Sequence, residues 1–197
     1  MIFVLVAAFA NRTFVHIPRT GGVSIRSTLP FHIKTWHSAL EIPPDPDKCT
    51  SLTALRNEAD RYCSEWGFYG LRFFSRRQSV KGWRPYSGDP STFEEFVRDN
   101  STHNTQTKIL SGCQLYDPHC KVNFDSVVRI LRRIETGCLT LLSFSTQKHK
   151  GQFRCNTEQK KMARSVNNLD NLLLTAVQKS RKEVTDARDL WKLGKAL

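Results

Sequence analysis

Short apolar runs alternate with segments of helical period in the first third of the chain. The run 13–17 predicts a first strand, and the segment 23–29 predicts a helix that Pro30 ends. A second strand is expected over 51–55, and it leads directly into a helix that Asn57 can cap. Because strands that alternate with helices are typical of sheets with helices on their faces, the pattern predicts an α/β fold with a central, mainly parallel sheet.

Helical patterns dominate the second half of the chain. Ser91 and Glu94 have the spacing of a capping box, which predicts a short helix that follows them. A third strand is expected over 139–144, and a longer helix over 158–180. Before them, a helix that ends near Gly137 is expected, because apolar residues at i, i+3, i+4 and i+7 form one face. That face consists of Phe124, Val127, Val128 and Leu131.

One domain is expected over residues 11–197, because this length suits a single core and the pattern shows no internal repeat. Residues 1–10 are apolar but lack the basic residues that begin a signal peptide. They are also shorter than the roughly 20 residues that cross a bilayer. We interpret them as a residual signal or anchor segment, with a buried strand or a disordered start as the alternative.

The charge of the chain is strongly positive. Thirty Lys and Arg residues against 18 Asp and Glu give a formal net charge of +12, which attracts polyanions such as nucleic acids and acidic glycans. The chain has no zinc-finger spacing, RNA-recognition signature or basic zipper, and its basic residues are scattered. Nucleic acid is therefore disfavoured as a partner, and sulfated or uronic glycans remain compatible with the charge.

The six cysteines show no C-x-x-C spacing, so we expect neither a metal site nor a thioredoxin-like redox motif. Cys113 and Cys120 could close a small loop. Cys63 lies inside a predicted helix and is expected to be an unpaired buried thiol. Two Asn-x-Ser/Thr sequons begin at Asn11 and Asn100, and they are compatible with a secretory lumen, where disulfides form.

The first predicted strand runs into a loop rich in glycine and in hydrogen-bond donors. Two adjacent glycines let the backbone approach an anion closely, and the first turn of the next helix adds unpaired amides. The loop fits neither the Walker pattern nor the dinucleotide pattern G-x-G-x-x-G. The sequence predicts a cradle for a phosphate or sulfate group, formed by Pro18, Arg19, Thr20, Gly21, Gly22, Val23 and Ser24.

A second motif, 55–66, contains Arg56 and Ser64 eight residues apart. With the glycine loop, it resembles the cofactor motifs of sulfotransferases that use 3′-phosphoadenosine 5′-phosphosulfate (PAPS), particularly the membrane-bound enzymes that act on heparan sulfate. In that family the loop is commonly Pro-Lys-Thr-Gly-Gly-Thr-Ser, and the second motif begins Leu-Arg-Asp-Pro. The resemblance implies a P-loop-like three-layer domain, PAPS as the sulfuryl donor, and a Golgi membrane protein with a lumenal catalytic domain.

The resemblance also implies a role for each motif residue. The glycine loop would hold the 5′-phosphosulfate, with Arg19 as the cation at the bridging oxygen. Arg56 and Ser64 would bind the 3′-phosphate. His37 lies between the two motifs, where the heparan sulfate enzymes keep their catalytic histidine, and we expect it to act as the general base.

Several residues near the motifs have competing interpretations. His32 is the rival of His37 as base, and His16 is expected to be packed and hydrogen-bonded in the first strand. Trp36 either stacks on a sugar or belongs to the core. A basic run forms either a groove for an acidic glycan or a merely solvated surface, and it comprises Arg72, Arg76, Arg77, Lys81 and Arg84.

Two positions depart from the family pattern, because Arg19 replaces the usual lysine and Asn57-Glu58 replaces Asp-Pro. The leading hypothesis is an active carbohydrate O-sulfotransferase that transfers a sulfuryl group from PAPS to a glycan hydroxyl. The alternative is a catalytically inactive relative that binds PAP (3′-phosphoadenosine 5′-phosphate, the desulfated cofactor) or sulfated glycans, and the two departures favour it. An unrelated phosphate-loop kinase or NTPase is disfavoured, because the loop carries no Walker lysine.

Overall fold

A parallel sheet of four strands lies within the residues that the structure, a computed structural model, describes. Its strands are β1 (Thr13–His16), β2 (Lys34–His37), β3 (Ser51–Thr53) and β4 (Leu139–Leu141), in the order β2-β1-β3-β4. Every pair of neighbouring strands is parallel. The predicted α/β class with a parallel sheet is confirmed. The described residues are 13–20, 25, 34–37, 49, 51–75, 92–142 and 154–185.

Six α-helices and one short 3-10 turn lie in the same described ranges. The helices are α1 (Glu58–Ser75), α2 (Phe93–Arg98), α3 (Thr105–Leu110), α4 (Phe124–Glu135), α5 (Thr157–Val166) and α6 (Asn168–Thr185). The 3-10 turn, Asn100–Thr102, joins α2 to α3. Among these described helices, none is both long and apolar enough to cross a bilayer.

The two faces of the sheet bury different apolar clusters, because successive side chains of a strand point to opposite faces. Val15 and Ile17 belong to a cluster that α3, α4 and α6 cover. Phe14 and Leu52 belong to a second cluster, which includes Ile25, a helical residue that is 1% exposed. Helical residues therefore pack on both faces of the sheet, as parallel sheets require.

A third apolar cluster lies among α1, α2 and α5. It is built largely of aromatic rings that meet edge-on or tilted, namely Tyr62, Trp66, Phe93 and Phe96. The Cys63–Cys155 disulfide ties this side of α1 to the chain just before α5. The expectation that Cys63 is an unpaired thiol is wrong, because the packing of α5 against α1 brings Cys155 to it.

Two further disulfides pair the remaining four cysteines. Cys49 bonds to Cys138, which links the segment before β3 to the residue that precedes β4. Cys113 bonds to Cys120, so the predicted small loop is confirmed. All six cysteines, each of them a described residue, are therefore paired. The long sequence separations could not be read from spacing, because six cysteines allow fifteen pairings.

The start of α2 and the apolar face of α4 differ from the sequence predictions. The capping box of α2 uses Thr92 and Glu95, one residue later than expected. In α4, Asn123 forms the capping box. The α4 face also differs, because Phe124 is 62% and Val128 40% exposed. Val127 and Leu131 do face the core, together with Ile130 and Ile134. The predicted apolar face was thus placed partly on the solvent side.

The segment 158–180, predicted as one helix, contains two helices, α5 and α6. The sequence analysis also failed to predict strand β2. Asn167 separates α5 from α6, and its side-chain amide donates to the carbonyl of Ala163 (2.7 Å). The missed β2 has the sequence Lys-Thr-Trp-His, which carries no apolar run. It pairs with β1 through backbone hydrogen bonds, a partner that no local pattern indicates.

Candidate functional site

The strand order points to a candidate site at the carboxyl ends of β1 and β3. From β1 the chain first builds outward to β2, then returns to the other side of β1 to form β3 and β4. The direction of sheet growth therefore reverses between β1 and β3. Because ligands of open parallel sheets bind beyond the carboxyl ends of the strands at such a reversal, the segments 17–20 and 54–57 are the candidate site.

The loop after β1 begins with a closed, partly left-handed turn. The hydroxyl and the amide of Thr20 both donate to the carbonyl of Ile17, at 2.8 and 3.4 Å. Pro18 is buried, and Arg19 has φ +66°, which residues with side chains adopt rarely. A left-handed residue in such a loop is a component of the backbone nests that bind anions. The other cradle residues, Gly21, Gly22, Val23 and Ser24, lie outside the described residues.

Three of the predicted phosphate-binding residues converge at this edge. The Nε of Arg19 donates to the Oγ of Ser64 (3.0 Å), and its guanidinium carbon lies 4.8 Å from the ring centre of Phe68. The Nη1 of Arg56 donates to the main-chain oxygen of Arg19 (3.0 Å). We call Arg19, Arg56 and Ser64 the arginine cluster. Arg19 lies 37 residues before Arg56 and 45 residues before Ser64, so two separate sequence motifs form one group of donors.

Gln106 holds the backbone of Arg56 from both sides. Its Oε1 accepts from the Arg56 amide and its Nε2 donates to the Arg56 carbonyl, both at 3.0 Å. The Gln106 side chain is completely buried. These two bonds hold the backbone three residues beyond the end of β3 and set the position from which the Arg56 side chain leaves. The sequence analysis missed Gln106, because no local pattern marks a residue whose partner lies 50 positions earlier.

A second layer of buried polar groups supports Gln106. Asp170, in the first turn of α6, accepts from the amides of Gln106 (3.1 Å) and Thr107 (2.8 Å). Asn104 also joins the start of α3 to the start of α6. Its side-chain Oδ1 accepts from the backbone amide of Leu169, and its own backbone amide donates to the Oδ1 of Asn167 (2.8 Å). Asp170 is fully buried and acts as an N-terminal anion for α3. The position of Arg56 therefore depends on the C-terminal helices.

The electrostatics of Arg56 favour an added anion. Burial lowers the pKa of Arg56, the carboxylate of Asp60 raises it, and the nearby Arg61 lowers it again, with a lowered pKa as the result. Within the described ranges, no carboxylate oxygen lies within 4.0 Å of its guanidinium. Because a half-buried cation without a close counter-ion is costly, a phosphate oxygen at this position would be stabilised.

Asn57 and Glu58, which stand in place of Asp-Pro, both make contacts that stabilise the fold. The Oδ1 of Asn57 accepts from the amide of Asp60 (3.1 Å), so Asn57 caps α1 as expected. The carboxylate of Glu58 lies 3.6 Å from the Nε of Arg164 on α5, and Glu58 is 3% exposed. The extra acid is thus paired with α5, which leaves the guanidinium of Arg56 without a close carboxylate.

The candidate bases lie at the same edge of the sheet or outside the described residues. His37 is the last residue of β2, and its backbone is in register with that of His16 at the end of β1. His16 is buried and stacks on Phe14, so the expectation of a packed histidine is confirmed. Trp36 is part of β2, and Arg72 is part of α1. His32, Arg76, Arg77, Lys81 and Arg84 lie outside the described residues.

Comparisons with known proteins add no relative. A scan against protein-family models, a search of curated proteins and a search of solved structures gave no match. Within the described part of the chain, no group of three or more His, Cys, Asp or Glu residues could hold a metal ion. The function is therefore argued from the arginine cluster and its surroundings.

Proposed function

We propose that this protein is a carbohydrate O-sulfotransferase that transfers a sulfuryl group from PAPS to a hydroxyl of an acidic, heparan sulfate-like glycan. The observation that carries the proposal is the arginine cluster. Two motifs resembling those of PAPS-dependent enzymes meet at the carboxyl ends of β1 and β3, through bonds of 3.0 Å between Arg56 and Arg19 and between Arg19 and Ser64.

The donors of the arginine cluster fit a bisphosphorylated nucleoside. PAPS carries its 3′-phosphate and its 5′-phosphosulfate on a single ribose, so both anionic groups need donors within a small region. Arg56 and Ser64 would bind the 3′-phosphate, since a guanidinium and a hydroxyl both donate to phosphate oxygens. Arg19 and the glycine loop would bind the 5′ end. The parallel sheet with this loop after β1 agrees with a P-loop-like, three-layer domain.

The catalytic roles follow from what sulfuryl transfer requires. PAPS, when bound, supplies the electrophilic sulfuryl group and a phosphate that leaves. His37 would remove the proton of the acceptor hydroxyl, because a histidine has a pKa near neutrality and this one ends a strand at the edge of the site. Arg19 would stabilise the negative charge that develops on the leaving phosphate oxygen.

The partner and the compartment of the proposal rest on charge and on disulfides. A net charge of +12 favours a polyanionic acceptor such as an acidic glycan. Three disulfides, which use all six cysteines, are typical of proteins in oxidising compartments. We therefore propose a lumenal Golgi domain.

One observation favours a second candidate, a non-catalytic relative that binds PAP or sulfated glycans. Arg19 stands where the family usually has lysine, and its Nε is already bonded to Ser64 while its guanidinium lies over Phe68. A planar guanidinium held at two points is less free to follow a moving oxygen than a lysine ammonium. Binding without turnover would leave the arginine cluster with the same ligand.

The test of the proposal is transfer of labelled sulfate from PAPS to heparan sulfate. His37→Ala should abolish transfer and leave PAP binding unchanged, because the proton acceptor is lost while the phosphate donors remain. His119→Ala, at an exposed histidine on the Cys113–Cys120 loop, is the matched control and should keep full transfer. Transfer by the His37→Ala protein would contradict the role of His37. PAP binding without any transfer by the wild type would favour the non-catalytic candidate.

A further inference from the structure

One of the two sequons begins with an exposed asparagine in a short turn. Asn100, Ser101 and Thr102 make up the 3-10 turn between α2 and α3. Asn100 is exposed, and within the described residues its side-chain amide makes no hydrogen bond. Its main-chain oxygen accepts from the Nζ of Lys108 (2.8 Å), which fixes the backbone of the turn without using the side chain. A bulky group on this amide would therefore displace no hydrogen bond among the described residues.

The third residue of the same sequon is enclosed by the fold. Thr102 is completely buried, and its hydroxyl lies 2.7 Å from the Tyr62 hydroxyl and donates to the carbonyls of Phe96 or Asp99 (3.2 and 2.8 Å). The acceptor motif for N-linked glycans requires a hydroxyl at this position. Because the folded protein hides that hydroxyl, the motif is readable only before the α2–α3 segment packs against α1.

The cysteine pairing indicates the compartment in which such a modification occurs. All six cysteines, each within the described ranges, are in disulfides. Disulfides form and persist in the secretory pathway and are rare in the cytosol. N-linked glycans are attached in that same pathway, on surface loops. The exposed amide, the hidden hydroxyl and the disulfides are three separate observations that agree on one modification.

We propose that Asn100 carries an N-linked glycan, and that it is attached to the nascent chain before the α2–α3 segment folds. The proposal does not depend on sulfotransferase activity, because it uses no residue of the arginine cluster. It applies to Asn100 alone, because Asn11 lies outside the described residues.

The experiment is translation of the full chain, behind a cleavable signal peptide, in the presence of secretory microsomes. The Asn11→Gln variant leaves Asn100 as the single sequon, and it should show one mobility shift that an N-glycosidase removes. Adding Asn100→Gln should abolish the shift, and adding Thr102→Ser, which keeps the hydroxyl, should retain it. Protease protection and signal cleavage confirm import in every lane.

Two further measurements keep the proposal open to contradiction. Mass spectrometry of the wild-type chain after N-glycosidase treatment should find Asn100 converted to Asp, whatever the folding of the variants. The unmodified, folded protein, presented to detergent-opened microsomes, should acquire no glycan at Asn100. Import without modification of Asn100 would overturn the site, and modification of the folded protein would overturn the order of events.

Discussion

Arg56 and Arg61 lie close together in the chain, and the fold treats their charges in opposite ways. Arg61 is completely buried and its Nη1 donates to Glu65 (2.6 Å), which also accepts from the hydroxyl of Tyr116 (2.5 Å). Burial alone would lower the pKa of Arg61, but the carboxylates of Glu65 and Asp170 outweigh it and raise the pKa. Arg56 is half-buried, its pKa is lowered, and its guanidinium is bonded to a neutral carbonyl.

The comparison separates a structural cation, Arg61, from the proposed binding cation, Arg56. A buried arginine with its own carboxylate is neutralised within the fold, and its charge offers nothing to a ligand. An arginine whose backbone is clamped and whose side chain faces a neutral oxygen keeps its charge for an anion. The motif spacing in the sequence indicates Arg56 but says nothing about how either arginine is paired. The difference lies in the tertiary partners, Glu65 for Arg61 and Gln106 for Arg56.

The largest expected effect is on the structural side of this comparison. Glu65→Ala removes the carboxylate to which the buried Arg61 guanidinium is bonded, and breaking such a pair costs about 3–5 kcal/mol of unfolding free energy. Urea denaturation measures it, with Glu135→Ala, at an exposed glutamate of α4, as the matched control. The folded fraction of Glu65→Ala should still bind PAP with the wild-type affinity. A loss below about 1 kcal/mol, the value of an exposed ion pair, would contradict the structural role.

A double replacement sharpens that result. Arg61→Met with Glu65→Leu removes both charges and keeps the volume, and such replacements are often neutral or stabilising. We expect the double variant to recover most of the stability that Glu65→Ala loses, because no isolated charge remains. If the double variant also lost PAP binding, Arg61 would belong to the binding site and the separation of the two arginines would be wrong.

The next effect concerns the clamp on Arg56. Gln106→Ala removes both side-chain bonds to the Arg56 backbone and leaves buried groups unpaired, which costs about 1–3 kcal/mol of stability. PAP affinity should fall as well, because the Arg56 side chain is no longer held in place. Gln178→Ala, at an exposed position of α6, is the control for both measurements. A Gln106→Ala protein that is less stable but binds PAP normally would restrict Gln106 to a structural role.

The smallest effect is a pH dependence that belongs to neither arginine. Burial lowers the pKa of His103 below its ordinary value of 6.5, and its ring Nε2 lies 2.7 Å from the Val97 carbonyl. The unfolded chain therefore binds a proton at His103 more readily than the folded chain does. Stability from this residue is present above about pH 6.5 and is lost as the pH falls through the lower, folded pKa.

His103→Gln should flatten the fall in unfolding free energy between about pH 6.5 and pH 5, as measured by urea denaturation across that range. Neither arginine titrates there, so the comparison of Arg56 with Arg61 should be unaffected by pH in both proteins. A wild-type curve that rises towards low pH would contradict the direction of the His103 shift.

The fold was predictable where local chemistry determines it. β1 follows from its apolar run, and the cap of α1 from Asn57, whose side chain accepts from Asp60. Asn167 and Cys63 were misread because their partners are distant in sequence. The Asn167 side chain accepts from the backbone amide of Asn104, and Cys63 pairs with Cys155. No periodicity within a helix contains that information.

The sequence was enough to identify the two motifs of the candidate site, but not the contacts between their residues. Spacing identified Arg56 and Ser64, and the glycine loop identified Arg19. That Arg19 bridges the two motifs depends on a left-handed φ of 66° and on the position of α1. Gln106 could not be identified from sequence, because its role is a pair of backbone bonds to a residue 50 positions earlier.

The central claim is that the arginine cluster is an anion site for a 3′-phosphorylated nucleotide. Calorimetric titration of PAP into wild type, Arg56→Ala and Arg129→Ala, an exposed arginine of α4, tests it most directly. We expect PAP to bind the wild type and Arg129→Ala equally. Arg56→Ala should bind about ten- to a hundredfold more weakly, the effect of losing charge-assisted hydrogen bonds. Unchanged PAP affinity in Arg56→Ala, or no PAP binding by the wild type, would contradict the account.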